Sequence, residues 1–220
     1  MKGVAQSWCG RLGAAALFAV GVAQAAVPPT EAVRGTVTEV LRILGDETLK
    51  RPERLAQRRR MLKEAVGARF SYEEMSKRTL AGQWKQLSES ERTEFVDLFR
   101  SFLTDTYADR IEGYAGEDIR YVGERLDGPY AEVRTKVVSN KADFPMDYRL
   151  LNRSGEWLVY DIVIDGVSLV RNYRGQFEKI IRDSSYQGLL ERLRQRVKEF
   201  TWAVETGGIT AATVSERVVF

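Results

Sequence analysis

The chain has 220 residues, with 34 basic and 31 acidic side chains, a single cysteine and no histidine. Without histidine, and with Cys9 as the only thiol, the sequence excludes Ser-His and Cys-His nucleophiles, histidine general bases and His/Cys metal sites. We therefore expect no bound metal and no cofactor.

The first 25 residues are typical of a signal peptide. Lys2 and Arg11 supply positive charge, residues 13–22 form an apolar run too short to span a bilayer, and Ala23-Gln24-Ala25 is a small-residue cleavage site. We predict an exported chain cleaved near Ala25. Removing this segment leaves 32 basic and 31 acidic residues, so the mature chain is nearly neutral and a poor candidate for binding nucleic acid.

Residues 29–114 are predicted to be helical. Apolar residues at helical spacing follow Pro28-Pro29 and stop at Gly45, Pro52 begins a second segment, and residues 70–80 form a short third one. The longest helix spans residues 87–114 and begins with a capping box of Ser88 and Glu91. Its apolar face is broad and aromatic, which is typical of a core and also suits one wall of an apolar pocket.

From residue 118 the apolar period becomes two. Residues 118–126, 130–138, 145–153 and 156–164 are predicted to be strands, joined by short turns that imply an antiparallel meander. Ser168 is predicted to cap a helix, a second helix follows it, and residues 205–220 form a mobile or extended tail. The pattern predicts one α+β domain over residues 26–204, with helices on one face of a curved four-stranded sheet.

Asp161 and Asp165 are the most obvious candidates for a catalytic pair. In a regular strand, residues four apart are separated by about 13 Å, whereas glycosidase carboxylates lie about 5 to 9.5 Å apart. Asp165 precedes Gly166 and favours a turn. We therefore interpret both aspartates as structural and predict that the protein is not an enzyme.

Two stretches, residues 70–114 and 145–181, resemble the toluene-tolerance family of periplasmic phospholipid-binding proteins. The most specific segments are "LFRSFLTDTYADRI" and "YDIVIDGVSLVRNYRGQF". The resemblance implies an NTF2-like fold, a periplasmic location and a phospholipid cargo whose acyl chains lie in an apolar cavity between sheet and helices. It also implies two docking partners: an inner-membrane ABC transporter with a lipid-binding domain, and an outer-membrane lipoprotein–porin complex.

The expected cavity lining follows from the two periods. Aromatic residues of the long helix are predicted to face inward-pointing strand residues, and others are placed near the turn from sheet to helix. The set is Phe95, Phe99, Phe102 and Tyr107 on the helix; Val133, Val137, Tyr148 and Leu150 on the strands; and Val163, Val167, Tyr173 and Phe177 near the turn.

Three other functions stay open at this point. One is a purely structural adaptor, which predicts a filled core and no co-purifying lipid. The same scaffold could carry another envelope lipid such as a hopanoid. A hydrolase or isomerase on an NTF2-like scaffold would instead need a polar pocket and a carboxylate of raised pKa, for which Asp161 is the nearest candidate.

Overall fold

The structure is a computed structural model that describes residues 27–114, 116–138 and 143–205, without the side chains of residues 201–205. The predicted signal peptide, residues 1–25, lies outside the described residues, as does the predicted tail beyond Glu205. No helix within the described ranges is long and apolar enough to cross a membrane.

Four helices form the N-terminal half: α1 (Pro29–Gly45), α2 (Leu55–Gly67), α3 (Tyr72–Leu80) and α4 (Glu89–Glu112). Short 3₁₀ turns precede α2 and α4. The predicted capping box of α4 is present, because the Ser88 hydroxyl accepts from the Glu91 N–H and the Glu91 carboxylate accepts from the Ser88 N–H. Both bonds satisfy N–H groups that would otherwise be unpaired at the helix start.

The sheet has five antiparallel strands in sequence order, β1 (Asp118–Asp127), β2 (Tyr130–Val138), β3 (Phe144–Arg153), β4 (Glu156–Ile164) and β5 (Val167–Ser168). The four predicted strands are confirmed to within one residue at each end. The fifth strand was not predicted, so the predicted four-stranded sheet is corrected to five strands. With only two residues it is too short to show a period, and it forms when the turn at Asp165-Gly166 folds the chain back on β4.

Two helices end the described chain: α5 (Leu169–Ser184) and α6 (Tyr186–Glu205). Ser168 caps α5 as predicted, accepting a hydrogen bond from the Arg171 N–H at 3.1 Å. The predicted α+β architecture of N-terminal helices, antiparallel sheet and C-terminal helices is therefore confirmed.

Buried apolar side chains form separate clusters rather than one core. The helical cluster joins α3, α4, α5 and α6, whereas the sheet cluster joins α1 to β2, β3 and β4. A smaller third cluster joins the end of α1 to α2. Phe70, just before α3, packs against both the helical and the sheet clusters and so marks the seam between them.

Candidate functional site

The three phenylalanines of the predicted aromatic stripe of α4 are buried. Phe95, Phe99 and Phe102 expose at most 1% of their surface. They meet Tyr173 and Phe177 of α5 with ring centroids 5.5 to 5.9 Å apart, mostly edge to face. This is a favourable geometry for aromatic pairs. These five predicted lining residues therefore form a closed aromatic core.

Tyr107 lies near the end of the same stripe and is only partly buried. Its phenol lies close enough to that of Tyr173 for the two to interact electrostatically, and burial raises the pKa of both phenols. The aromatic core thus ends in a polar contact where α4 approaches the start of α5.

The predicted strand residues contact a different helix from the one expected. Val133 and Leu150 are fully buried, but they belong to the sheet cluster with Ala32 and Val33 of α1. The expectation that they face the α4 stripe is not met, because α1 covers this face of the sheet. Val137 is also buried, further along β2 and opposite Phe144.

A β-bulge in β4 changes the position of Val163. Leu150 pairs with Val159, whereas its neighbour Arg149 pairs with Asp161, so Tyr160 is an extra residue. Beyond the bulge, Val163 therefore lies on the face opposite Tyr148 and Ile162. The prediction placed Val163 with the other lining residues because it assumed a regular strand.

Val167 is the predicted lining residue that the structure places at the surface. It is 60% exposed, next to the turn at Gly166. Its neighbour Ser168 is buried instead, because its side chain caps α5 and donates to Asp161.

Tyr148 and Tyr121 place two phenols on the apolar side of the sheet. Both are partly exposed members of the sheet cluster, and burial raises the pKa of each. Among residues 27–114, 116–138 and 143–200, the Tyr148 hydroxyl donates only to the Met146 sulfur, at 3.2 Å, which is a weak acceptor. In the described part of the chain the buried Tyr121 hydroxyl has no hydrogen-bond partner. Neither phenol therefore has a strong hydrogen-bond acceptor among the described residues.

Asp161 is a structural aspartate. It is 2% exposed and accepts hydrogen bonds from the Ser168 hydroxyl at 2.6 Å, the Val170 N–H at 3.0 Å and Arg149 at 3.2 Å. The carboxylate thus ties β4 to the N-terminus of α5, where negative charge is stabilised. Asp165 lies in the exposed turn with φ of 48°. The structural interpretation of both aspartates is supported by these contacts.

Two adjoining grooves open on the other side of α4 from the aromatic core, with volumes of about 580 and 320 Å³. None of the twelve predicted lining residues lies in them. The larger groove runs between α2, α4 and the end of the sheet. Its residues are Arg60, Lys63, Glu64, Gly67, Phe70, Ser71, Tyr72, Glu73, Val96, Arg100, Arg153 and Leu158.

Sequence reasoning missed these residues because the α4 face that lines the grooves mixes polarity. Val96, Arg100 and Thr104 recur every four residues, which is helical spacing, but only one of the three is apolar. Such a face is easily taken for a solvated surface. Among the described residues, no cluster of three potential metal ligands occurs here or elsewhere.

Comparisons with known proteins agree with this architecture. A solved structure of a phospholipid-binding protein from Ralstonia solanacearum, in complex with a phospholipid, superposes with a TM-score of 0.69 at 25% identity. The superposition covers 80% of this chain and 99% of that protein.

Two relatives are similar in sequence. The Haemophilus influenzae intermembrane phospholipid transport system binding protein MlaC is 23% identical over 128 residues, which are 56% of this chain and 60% of that protein. The toluene tolerance protein ttg2D of Pseudomonas putida is 26% identical over 159 residues, 70% of this chain and 73% of that protein. A family model described as MlaC protein matches residues 34–195. The chain therefore belongs to the MlaC family.

Proposed function

We propose that this chain is a periplasmic carrier that binds a phospholipid non-covalently and moves it between membranes. The observation that carries the proposal is the phospholipid complex of the Ralstonia protein, whose whole length has the fold of this chain. The α+β architecture, the apolar clusters and the two phenols without strong partners agree with a lipid site between sheet and helices.

The energetics also suit a carrier. Each buried methylene contributes about 0.8 kcal/mol relative to water, so two long acyl chains sum to more than the practical limit of roughly 20 kcal/mol for non-covalent binding. In a bilayer, however, these chains are already out of water. Transfer from membrane to protein is therefore close to neutral, which allows both loading and release.

Near-neutral transfer sets no direction, so partner proteins must supply it. We propose an inner-membrane ABC transporter with a lipid-binding domain and an outer-membrane lipoprotein–porin complex as these partners. The support is the family resemblance, together with the name of the Haemophilus relative, which describes a binding protein of an intermembrane transport system.

The proposal is tested by purifying the exported protein without detergent, extracting it with organic solvent and identifying the lipid by mass spectrometry. About one phospholipid per protein chain is expected. A hopanoid in place of the phospholipid would support a carrier function with a different lipid cargo. A lipid-free extract would contradict the proposal, provided that a known lipid carrier prepared in parallel retains its lipid.

An enzyme finds less support. Asp161, the nearest candidate for a catalytic carboxylate, is buried and bonded to Ser168, Val170 and Arg149. A catalytic acid or base must instead reach a substrate in a cleft. Turnover lost in an Asp161→Asn variant that still folds would support the enzyme.

A further inference from the structure

The groove between α2 and α4 meets the seam between the two main apolar clusters. Its floor contains Phe70, which packs against both clusters, together with Tyr72 and Val96 from the helical side and Leu158 from the sheet. The smaller groove shares Lys63, Gly67, Tyr72 and Arg100 with it, so the two form one continuous depression.

The backbone at Phe70 is fixed, whereas its side chain is only partly buried. The Ser71 N–H donates to the Val159 carbonyl at 2.9 Å, and the Val159 N–H donates to the Arg69 carbonyl at 2.8 Å, which joins this segment to the edge of β4. The ring stacks on Tyr72 with centroids 6.0 Å apart. A rotation of this one side chain would extend the groove toward the boundary between the two clusters without breaking these backbone hydrogen bonds.

Three arginines at the rim of the groove form exposed ion pairs. Arg60 is 4.0 Å from Glu64 and Arg100 is 3.7 Å from Asp97, with more than half of each side chain exposed. Arg153 pairs with Glu73 at 3.0 Å, and both are also more than half exposed. Exposed pairs of this kind contribute little, whereas guanidinium groups bind phosphate oxygens with two parallel hydrogen bonds.

An apolar floor under a rim of exposed arginines matches the chemistry of an amphiphile with a phosphate. We propose that this groove is the entrance for the phospholipid cargo, that Arg60, Arg100 and Arg153 hold its phosphate, and that Phe70 is the side chain its acyl chains displace. This inference rests on the proposed function and specifies where on the molecule loading takes place.

Site-specific fluorescence quenching tests the entrance. Because Cys9 is the only cysteine and precedes the predicted cleavage site, an added cysteine is unique in the mature chain. Gly67→Cys places a probe in the groove and Gly175→Cys places a matched probe on the exposed side of α5. Both glycines are helical, and a Cβ at either would meet no atom within 4 Å.

Each cysteine is labelled with bimane, and the protein is loaded with phosphatidylcholine bearing a nitroxide on its head group. Strong quenching at residue 67 and little at residue 175 is expected. Bound lipid is measured in the same samples by phosphate assay. Bound lipid without quenching at residue 67 would overturn the entrance and leave the carrier intact, whereas no bound lipid would contradict the carrier itself.

The arginines are tested by substitution. Arg60→Gln with Arg100→Gln removes two phosphate donors and is expected to weaken phospholipid binding about tenfold or more, the usual effect of losing charge-assisted hydrogen bonds. The control pair is Arg171→Gln with Arg174→Gln, which are exposed on α5. Equal affinity of both double variants for phospholipid, with unchanged circular dichroism, would overturn the assignment of the phosphate site.

Phe70→Trp tests the role of the Phe70 side chain independently of the arginines that hold the phosphate. A larger ring at the seam is expected to slow loading from vesicles while leaving the head-group contacts in place. Unchanged loading kinetics in this variant would overturn the role of Phe70.

Discussion

The two faces of α4 are held to their neighbours by different forces. One face carries Phe95, Phe99 and Phe102 into the helical cluster, where no solvent reaches them. The other side of the helix meets α2 through ion pairs and, near its C-terminal end, through Ile111, which packs against the small apolar cluster that contains Leu62. Arg59 binds Glu112 at 2.7 Å and Asp109 at 3.3 Å, and Lys63 binds Asp105 at 2.6 Å.

Because of this difference, we expect the interface of α4 with the helical cluster to stay closed and the interface of α4 with α2 to open more easily. Parting the aromatic face would expose a large apolar area to water, whereas parting the ion pairs replaces protein contacts with hydration of similar strength. Leu62 is the only residue of α2 that is buried. We therefore expect α2 to be more easily displaced than α5, and the groove described above lies along α2.

The largest expected effect is on the aromatic face. Phe99→Ala leaves a cavity among rings that fully enclose it and should lower the free energy of unfolding by about 3–5 kcal/mol. Urea denaturation followed by circular dichroism measures this. Val122→Ala, at a position 64% exposed, is the control and should change stability by less than about 0.5 kcal/mol. Similar values for the two variants would mean that the aromatic face is not the fixed one.

A smaller loss is expected where α5 meets the sheet. Asp161→Ala removes the acceptor for Ser168 and Val170 and the partner of Arg149, and should cost roughly 3 kcal/mol. Asp165→Asn, in the exposed turn, is the matched control and should be nearly neutral. The same denaturation series compares them, and a neutral Asp161→Ala would show that α5 is held by its apolar face alone.

The ion-paired face should respond to salt. Arg59→Ala is expected to destabilise the protein by about 1 kcal/mol at low ionic strength and by less in high salt, because these pairs are partly exposed and screened. Arg60→Ala, whose pair is looser and more exposed, is the control. If the loss of stability in Arg59→Ala does not depend on salt, the ion pairs do not distinguish this face of α4 from the aromatic face.

The smallest expected change in stability is at the capping box that begins α4. Hydrogen bonds from the Ser88 hydroxyl and N–H lower the pKa of Glu91 from its ordinary value of 4.5. A lowered carboxyl pKa stabilises the fold above that ordinary value, and the contribution is lost as the pH falls through the folded-state pKa. Unfolding midpoints measured from neutral pH downward should therefore fall less steeply below pH 4.5 in Glu91→Gln than in the parent chain.

Local patterns in the sequence predicted the elements well, but not how they meet. The capping box at Ser88 and the cap at Ser168 depend on residues close in the sequence, so they can be predicted from the sequence alone. The bulge at Tyr160 lies in a nearly continuous apolar run, where no alternation of residue types marks it, so it has no signature in the sequence. The position of α1 over Val133 and Leu150 depends on tertiary packing, which periodicity does not encode.

The candidate site illustrates the same limit. Burial of Phe95, Phe99 and Phe102 could be predicted, but whether they line a cavity or fill a core depends on the placement of α5. The groove was missed because its residues come from five separate elements and the segment before α3, and only Phe70, Tyr72, Val96 and Leu158 among them are uncharged and large.

Asp161 also has a mechanical consequence. Its backbone belongs to β4, and its carboxylate is hydrogen-bonded to Ser168 and Val170 at the start of α5. We therefore expect this turn of the helix and the strand to move together. The bulge at Tyr160 lies one residue before this joint, where the strand is most easily bent. We therefore expect a change in the tilt of α5 to shift the part of β4 around Val159, which pairs with Phe70.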